Sequence, residues 1–493
     1  MNGLIFAGPS GVAILCAFAV IMLGIGWYAG RGNAGDSSAR NYFTAGGGLG
    51  MVTLFFTLYA TQYSGNSVVG YPPQAYRSGF LWWQSVPFMI AVIAVYLLFA
   101  PRLYVLAKRK SFVTPTDFVR DRFGSTKLSV LSIALMLWGL GNYVLEQLVA
   151  MGHGIAGLTG ETIPYEVGVI GFIVVMLIYS WTGGMRAVAM TDVLQGVAML
   201  VGIGALLVGV IFLNGGLGSL TTYLTQTSPE LVGVPETSDA INWLAMIVMI
   251  GFGAAVYPHA IQRVYSARSE RTLKRSLAVM AWMPLVTTGV VFVVGIAGLQ
   301  LFPGLGTEES EQLVGMIANE VAAQNIVFYL LMILLFGGIV CAITSTADSA
   351  VLAFSSIVAG DLYGRYVAPD APDRRKVLVG KVVGIVMVFG LLLIAWNPPG
   401  TLFSIFVLKF ELIVQLAPVF ILGLYWKRMA AGPTFWGMLI GAVVAGGATL
   451  LDAGPFYGVP AGLVGLAANL AICVIGSLAV SRRDAAAVPA ARA

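Results

Sequence analysis

Charge is what this sequence has least of. Only 10% of its 493 residues are Asp, Glu, Lys or Arg, where a soluble domain carries about 25%. That scarcity excludes a soluble enzyme, a disordered chain and a nucleic-acid-binding protein. Cysteine is also rare: Cys16, Cys341 and Cys473 each lie inside an apolar run, and none belongs to a CxxC pair. Structural disulfides and a thiolate metal site are therefore not expected. Two histidines, His153 and His259, stand too far apart in the chain to read as a metal cluster. There is no phosphate-binding Gly-rich loop and no clustered acid/base set, so the chain is not read as an enzyme. No hydrophilic stretch is long enough for a separate domain; the longest loops cover about 214–239 and 303–323.

What is present is hydrophobic: 58% of residues, with a mean hydropathy of +0.88. Thirteen apolar segments can be marked, at about 10–29, 48–75, 81–105, 127–157, 163–181, 188–213, 240–263, 276–302, 324–359, 378–395, 400–424, 433–451 and 458–480. Runs of about 20 apolar residues match the ~30 Å hydrocarbon layer. Open sheets leave backbone groups unpaired in lipid, so these segments are predicted to be helices. The expectation is an all-α polytopic membrane protein: a single transmembrane domain over 1–493, surrounded by a lipid bilayer. The first run has no basic flank before it and no evident small-residue cleavage site, and reads as a retained span.

The basic residues predict the orientation. With the N-terminus outside, all but two of the 27 Lys and Arg fall on the cytoplasmic side, from Arg31 and Arg40 through Arg263, Arg268 and Arg271 to Arg482, Arg483 and Arg492. Arg77 falls outside and Lys409 within a span; the two long external loops hold no Lys or Arg. This asymmetry is the positive-inside pattern of a plasma (inner) membrane protein. An odd number of spans then places the C-terminus, with a short tail over 481–493, in the cytoplasm.

Two spans have interiors unlike simple helices. The second passes through Thr61-Gln62-Tyr63-Ser64-Gly65-Asn66 and on to Gly70 and Pro72-Pro73; the seventh holds Gly251-Phe252-Gly253 and Tyr257-Pro258-His259. Gly and Pro release backbone groups, and such groups persist at membrane depth only where they line a cavity or bind something. The two spans are five positions apart. That spacing fits two five-helix inverted repeats, helices 2–6 (48–213) and 7–11 (240–424), with the broken first helix of each repeat at the midplane site.

Further motifs carry a resemblance. Thr182-Gly183-Gly184-Met185-Arg186-Ala187-Val188 runs on to Thr191-Asp192 and Gln195. Ser345-Thr346-Ala347-Asp348-Ser349 is followed by Ser355-Ser356 and Asp361-Leu362-Tyr363. Pro418 leads to Trp426-Lys427-Arg428, and Asn41-Tyr42-Phe43-Thr44-Ala45-Gly46-Gly47 precedes the second span. In combination, from about residue 20 to 480, these resemble the sodium:solute symporter family, whose carriers take sugars, proline, pantothenate, sialic acid and monocarboxylates. The resemblance implies the inverted-repeat, leucine-transporter-like fold, Na+ as the coupling ion and transport by alternating access.

By the same resemblance the main sodium site falls on the Ala60 and Tyr63 carbonyls, the Ala342 carbonyl, and the Ser345 and Thr346 hydroxyls. Positions 342, 345 and 346 are spaced i, i+3, i+4 and share a helix face. A second ion in some members would match Asp192, Ser345, Thr346, Asp348 and Ser349. Substrate is expected against Gln62, Ser64, Gly65 and Asn66, with Gln84, Asn142, Phe252, Tyr257 and Gln415 as further candidates. Ionisable residues inside spans are functional by default; Glu146, Lys409 and Glu411 qualify, and Lys409 and Glu411, two apart, point to different faces. The Tyr257-Pro258-His259 to Arg263 segment leans toward the monocarboxylate and pantothenate branch. The expected function is sodium-coupled import of a small organic solute by a monomer, a monocarboxylate first. An amino acid or sugar symporter, or a proton-coupled carrier of the same fold, remains the alternative.

Overall fold

A computed structural model describes residues 9–31, 38–451 and 453–480. The expected tail over 481–493 lies outside the described residues, as do the side chains of 179–184, 187 and 341. Among the described residues the chain is helical, with isolated bridges in place of strands. Helix α1 (Pro9–Arg31) precedes the first broken span. That span consists of α2 (Met51–Gln62), a wide turn over Asn66–Gly70, and α3 (Tyr71–Ser78). Next come α4 (Ser85–Lys110), α5 (Thr126–Thr159) and α6 (Tyr165–Leu213). The second broken span is α7 (Thr237–Ala255) followed by α8 (Pro258–Ser266). The rest are α9 (Glu270–Met280), α10 (Gly289–Leu301), α11 (Ile326–Ser356), α12 (Asp373–Ala395), α13 (Leu402–Ile413), α14 (Ala417–Tyr425), α15 (Ala431–Leu450) and α16 (Ala461–Ala479). Among the described residues, 10 helices or joined helices are long and apolar enough to cross a membrane.

Helix α6 covers two of the predicted spans. Two spans are predicted over 163–181 and 188–213, and both ends of α6 lie at one end of the bundle: Gly168 packs on Ile155 of α5, and Gly209 packs on Val321, two residues after Asn319, which donates to Leu158 O of α5 at 3.0 Å. A straight helix of 49 residues would be more than twice as long as the ~30 Å hydrocarbon layer at about 1.5 Å per residue, so α6 turns back between its two ends. Its apolar parts, Tyr165–Ile178 and Val188–Leu213, lie on either side of Gly183 and Gly184.

The outside of the bundle is apolar. On α12, Leu378, Val382, Val386, Phe389 and Leu393 are exposed at helical spacing. A continuous stripe of this kind suits lipid and not water. The interior holds fully buried aromatics from α2, α3 and α4, among them Tyr59, Tyr63, Tyr71, Tyr96 and Phe99. The α6 and α11 helices pack along each other, and α15 packs on α16.

Arginines fasten both ends of the bundle. At one end the short helix Pro115–Phe123 sends Arg120 to Asp361, 3.1 Å away. Beside it Arg122 donates to the carbonyls of Gly423 (2.8 Å), Trp426 (3.1 Å), Lys427 (3.1 Å) and Met429 (3.2 Å). At the other end Arg77, in the last turn of α3, pairs with Glu311 at 2.8 Å and donates to Ser310 Oγ at 2.7 Å. The loop leading into α2 is tied to the end of α8, with Leu49 N donating to Ser266 O (3.0 Å) and Arg268 N to Leu49 O (2.9 Å). Arg263 departs from the orientation count: it is fully buried on α8, not in a cytoplasmic loop.

Candidate functional site

Both breaks follow from local chemistry. Helix α2 stops after Gln62, where Tyr63 takes φ −107°, ψ 83°. A side chain at Gly65 would place its Cβ 2.2 Å from Ile343 Cγ1 on α11, so only glycine permits this approach. The groups freed by the break find partners on neighbouring helices. Tyr143 Oη donates to Thr61 O at 2.7 Å, and Gly65 N donates to Gln147 Oε1 at 3.1 Å. Tyr143 and Gln147 are one turn apart on α5. In the second broken span, Tyr257 precedes a proline and is held extended at ψ 132°, as the ring of the following proline requires. Pro258 then opens α8 at a position whose N–H has no helical acceptor. Tyr96 joins the two breaks: Gln62 Nε2 donates to its hydroxyl at 2.8 Å, and Tyr96 donates to Ala254 O at 3.3 Å.

Hard oxygen donors gather where α2 meets α11. Thr346 Oγ1 donates to Ala60 O at 2.9 Å. Ser345, one residue earlier, donates to Asp192 on α6, as does Thr57. Tyr63 and Ala342 are buried on the same two helices. The Asp192 carboxylate is fully buried and faces Arg263, with Nη2 3.7 Å away. Arg263 also donates from Nε to Thr57 O and Oγ1, both at 3.0 Å, and from Nη2 to Ser349. Asp192, Ser345 and Ser349 thus converge, with Arg263 as their internal cation. Asp348 is buried on α11 within electrostatic reach of Tyr42.

Between the broken spans lies a narrow cleft. Its polar lining comes from Gln62, Ser64, Ser67 and Lys409; Tyr71, Tyr143, Tyr257, Phe406 and Phe410 supply aromatic walls. The Lys409 ammonium bonds Glu146 and lies over the rings of Tyr143 (4.2 Å) and Phe406 (4.6 Å). Cation–π attraction and the ion pair together hold this charge inside the bundle. Of the predicted substrate residues, Gln62, Ser64 and Tyr257 line the cleft. Gly65, Asn66, Gln84, Asn142, Phe252 and Gln415 lie outside its lining. Gln415 is bound elsewhere, donating to Gly462 O at 2.8 Å and accepting from Asn469. Glu411 also turns away, its carboxylate accepting Gly462 N at the start of α16.

Two residues in this region escape sequence reasoning. His259 is fully buried between the rings of Tyr143 (4.8 Å) and Tyr257 (5.1 Å). Arg263 lies one turn further along α8. The signal for it is positional: it comes only five residues after Pro258, too soon to have left the span.

The comparisons with known proteins agree with this architecture. The pattern of the sodium:solute symporter family matches residues 42–441. The sodium/pantothenate symporter of Escherichia coli (strain K12) is 28% identical, over 87% of this chain and 88% of its own. The osmoregulated proline transporter OpuE of Bacillus subtilis (strain 168) is 26% identical, over 88% of this chain and 86% of its own. Among solved structures, a Na+-coupled sialic acid symporter in its substrate-bound outward-open state superposes with a TM-score of 0.78 at 20% identity. It covers 95% of this chain and 97% of its own.

Proposed function

The chain belongs to the sodium:solute symporter family, and from that premise we propose that it imports a small organic carboxylate on the sodium gradient. It is a multi-pass membrane transporter and not an enzyme. The observation that carries the choice of solute is Lys409, a fully buried ammonium that lines the cleft between the two broken spans. A carboxylate is its natural partner, and the aromatic walls suit an apolar body. Pantothenate and proline, for which two relatives are named, both bear a carboxylate.

Sodium is assigned to the Ala60, Tyr63 and Ala342 carbonyls and the Ser345 and Thr346 hydroxyls. Hard oxygens of this kind suit the ion without a formal charge in its shell. The contact between Thr346 and Ala60 supports the choice, because two of the five groups already meet. A second sodium on Asp192, Asp348 and Ser349 would have to share Asp192 with Arg263, which favours a single ion. The proposed topology has thirteen spans, with inverted repeats over 48–213 and 240–424. The N-terminus is outside the plasma membrane, the C-terminus is cytoplasmic, and the monomer is the working unit. Sodium and solute each raise the other's affinity by the same factor.

Uptake into proteoliposomes tests this, with labelled pantothenate, pyruvate, proline and glucose and an imposed sodium gradient. The expected result is sodium-driven accumulation of a carboxylate, abolished in Lys409→Met. Accumulation that ignores sodium would overturn the coupling. Uptake of proline alone would overturn the choice of a plain carboxylate in favour of a zwitterionic amino acid, the class that one relative is named for.

A further inference from the structure

Behind the cleft stands one carboxylate more than a single solute anion needs. Glu146 is fully buried on α5, and one of its oxygens accepts the Lys409 ammonium. The other, Oε1, has no hydrogen-bond partner. Lys409 lines the cleft and Glu146 does not, so Glu146 stands behind the ammonium. The groups that face it are Lys409 from α13, Asn66 from the first break, Tyr71 from α3, Tyr143 from its own helix and Tyr257 before α8. Two more cationic or basic groups stand on α8. Arg263 is matched by Asp192, and His259 is stacked between Tyr143 and Tyr257. Lys409 is therefore the charge that Glu146 answers to.

A solute carboxylate that enters the cleft meets an ammonium already neutralised. Two carboxylates on one ammonium leave a net negative charge in a site largely shut off from water, which is strongly unfavourable. A zwitterion would relieve this by placing its own ammonium on Glu146, but Glu146 is not offered to the cleft. We propose that Glu146 takes up one proton whenever Lys409 receives a solute carboxylate, so that a proton travels with sodium and the organic anion. The proton comes from the external solution and forms an O–H bond on the Glu146 carboxylate as the ion pair with Lys409 is exchanged for one with the solute. When the solute leaves on the cytoplasmic side, Lys409 pairs with Glu146 again and the proton passes to water there. The proposal rests on the carboxylate reading above.

Pantothenate uptake into proteoliposomes that enclose a pH-sensitive dye tests it, with protein-free liposomes setting the leak. Under a sodium gradient, the lumen is expected to acidify by one proton per solute. With sodium equal on both sides, one pH unit (acid outside) is expected to drive up to about tenfold accumulation. Glu146→Gln is expected to lose both responses while retaining exchange of labelled for unlabelled pantothenate; Glu146→Asp is expected to keep both. Carboxylate uptake with no acidification and no response to the pH gradient overturns the proton and leaves the carboxylate reading standing. Refusal of pantothenate and pyruvate with accumulation of proline overturns both. If the Gln variant fails to fold, the dye measurement on the unaltered protein decides.

Discussion

Thr346 carries no charge, yet it joins α11 to the carbonyl of Ala60 across the centre of the bundle. Thr346→Ala removes one oxygen from the proposed sodium shell, worth about 1–2 kcal/mol. The half-saturating sodium concentration is expected to rise roughly tenfold, as read from the sodium dependence of uptake. An unchanged value would remove Thr346 from the shell. Asp192 makes a different demand, because it neutralises Arg263 where neither group meets water. Asp192→Asn leaves that guanidinium unpaired and is expected to destabilise the protein by about 3–5 kcal/mol. Adding Arg263→Gln is expected to recover most of the loss in thermal unfolding; a double variant no better than the single one would show that the pair is not what holds the region. The residue scale also shows what the sequence exposes and what it hides. Lys409 and Glu146 stand out as charges inside apolar runs, and they do meet. Arg263 sits at the end of an apolar run, where nothing in the pattern separates a loop arginine from a buried one until the break before it is placed.

At the scale of the elements, the two breaks were legible because their causes are covalent. Proline removes a donor and restricts its predecessor, and glycine admits a neighbour too close for any side chain. Gly65→Ala is expected to push Ile343 away and to cost about 1–3 kcal/mol through overpacking, with sodium-driven uptake falling accordingly. Ile343→Ala removes the atoms 2.2 Å and 2.8 Å from the added methyl and is expected to restore uptake in the double variant. No restoration would mean that Ala150, 3.2 Å from the added methyl, sets the limit and not Ile343. Which polar side chains a neighbouring helix would claim was not legible. The cleft lining divided on the same ground. Gln62 and Tyr257 flank the breaks and line the cleft, whereas Gln415 shares their polarity but is bound to α16.

On the scale of the whole molecule, the Glu146–Lys409 and Asp192–Arg263 pairs lie inside the bundle, while each end is fastened in its own way. Burial pushes the Glu311 carboxyl above the ordinary glutamate range, and Arg77 draws it part of the way back. If this end opened, Glu311 would meet water and titrate near the usual value of about 4.3. The closed form therefore binds the proton more tightly. Acidification favours closure here, and the bias is lost as pH rises through the raised value. Spin labels at Ser78 and Glu308 are expected to show a growing short-distance population as pH falls, flattened by Glu311→Gln; a population that shrinks on acidification would reverse the assignment. The opposite end is fastened by Arg122, whose single guanidinium serves carbonyls on both sides of the corner between α14 and α15. Lysine keeps the charge, but its one nitrogen cannot reach in those several directions at once. A genetic screen for lost uptake would therefore return this position beside the cleft residues, although it touches neither ion nor solute. A map of essential residues for this carrier would then mark the seams of the scaffold as well as the path through it.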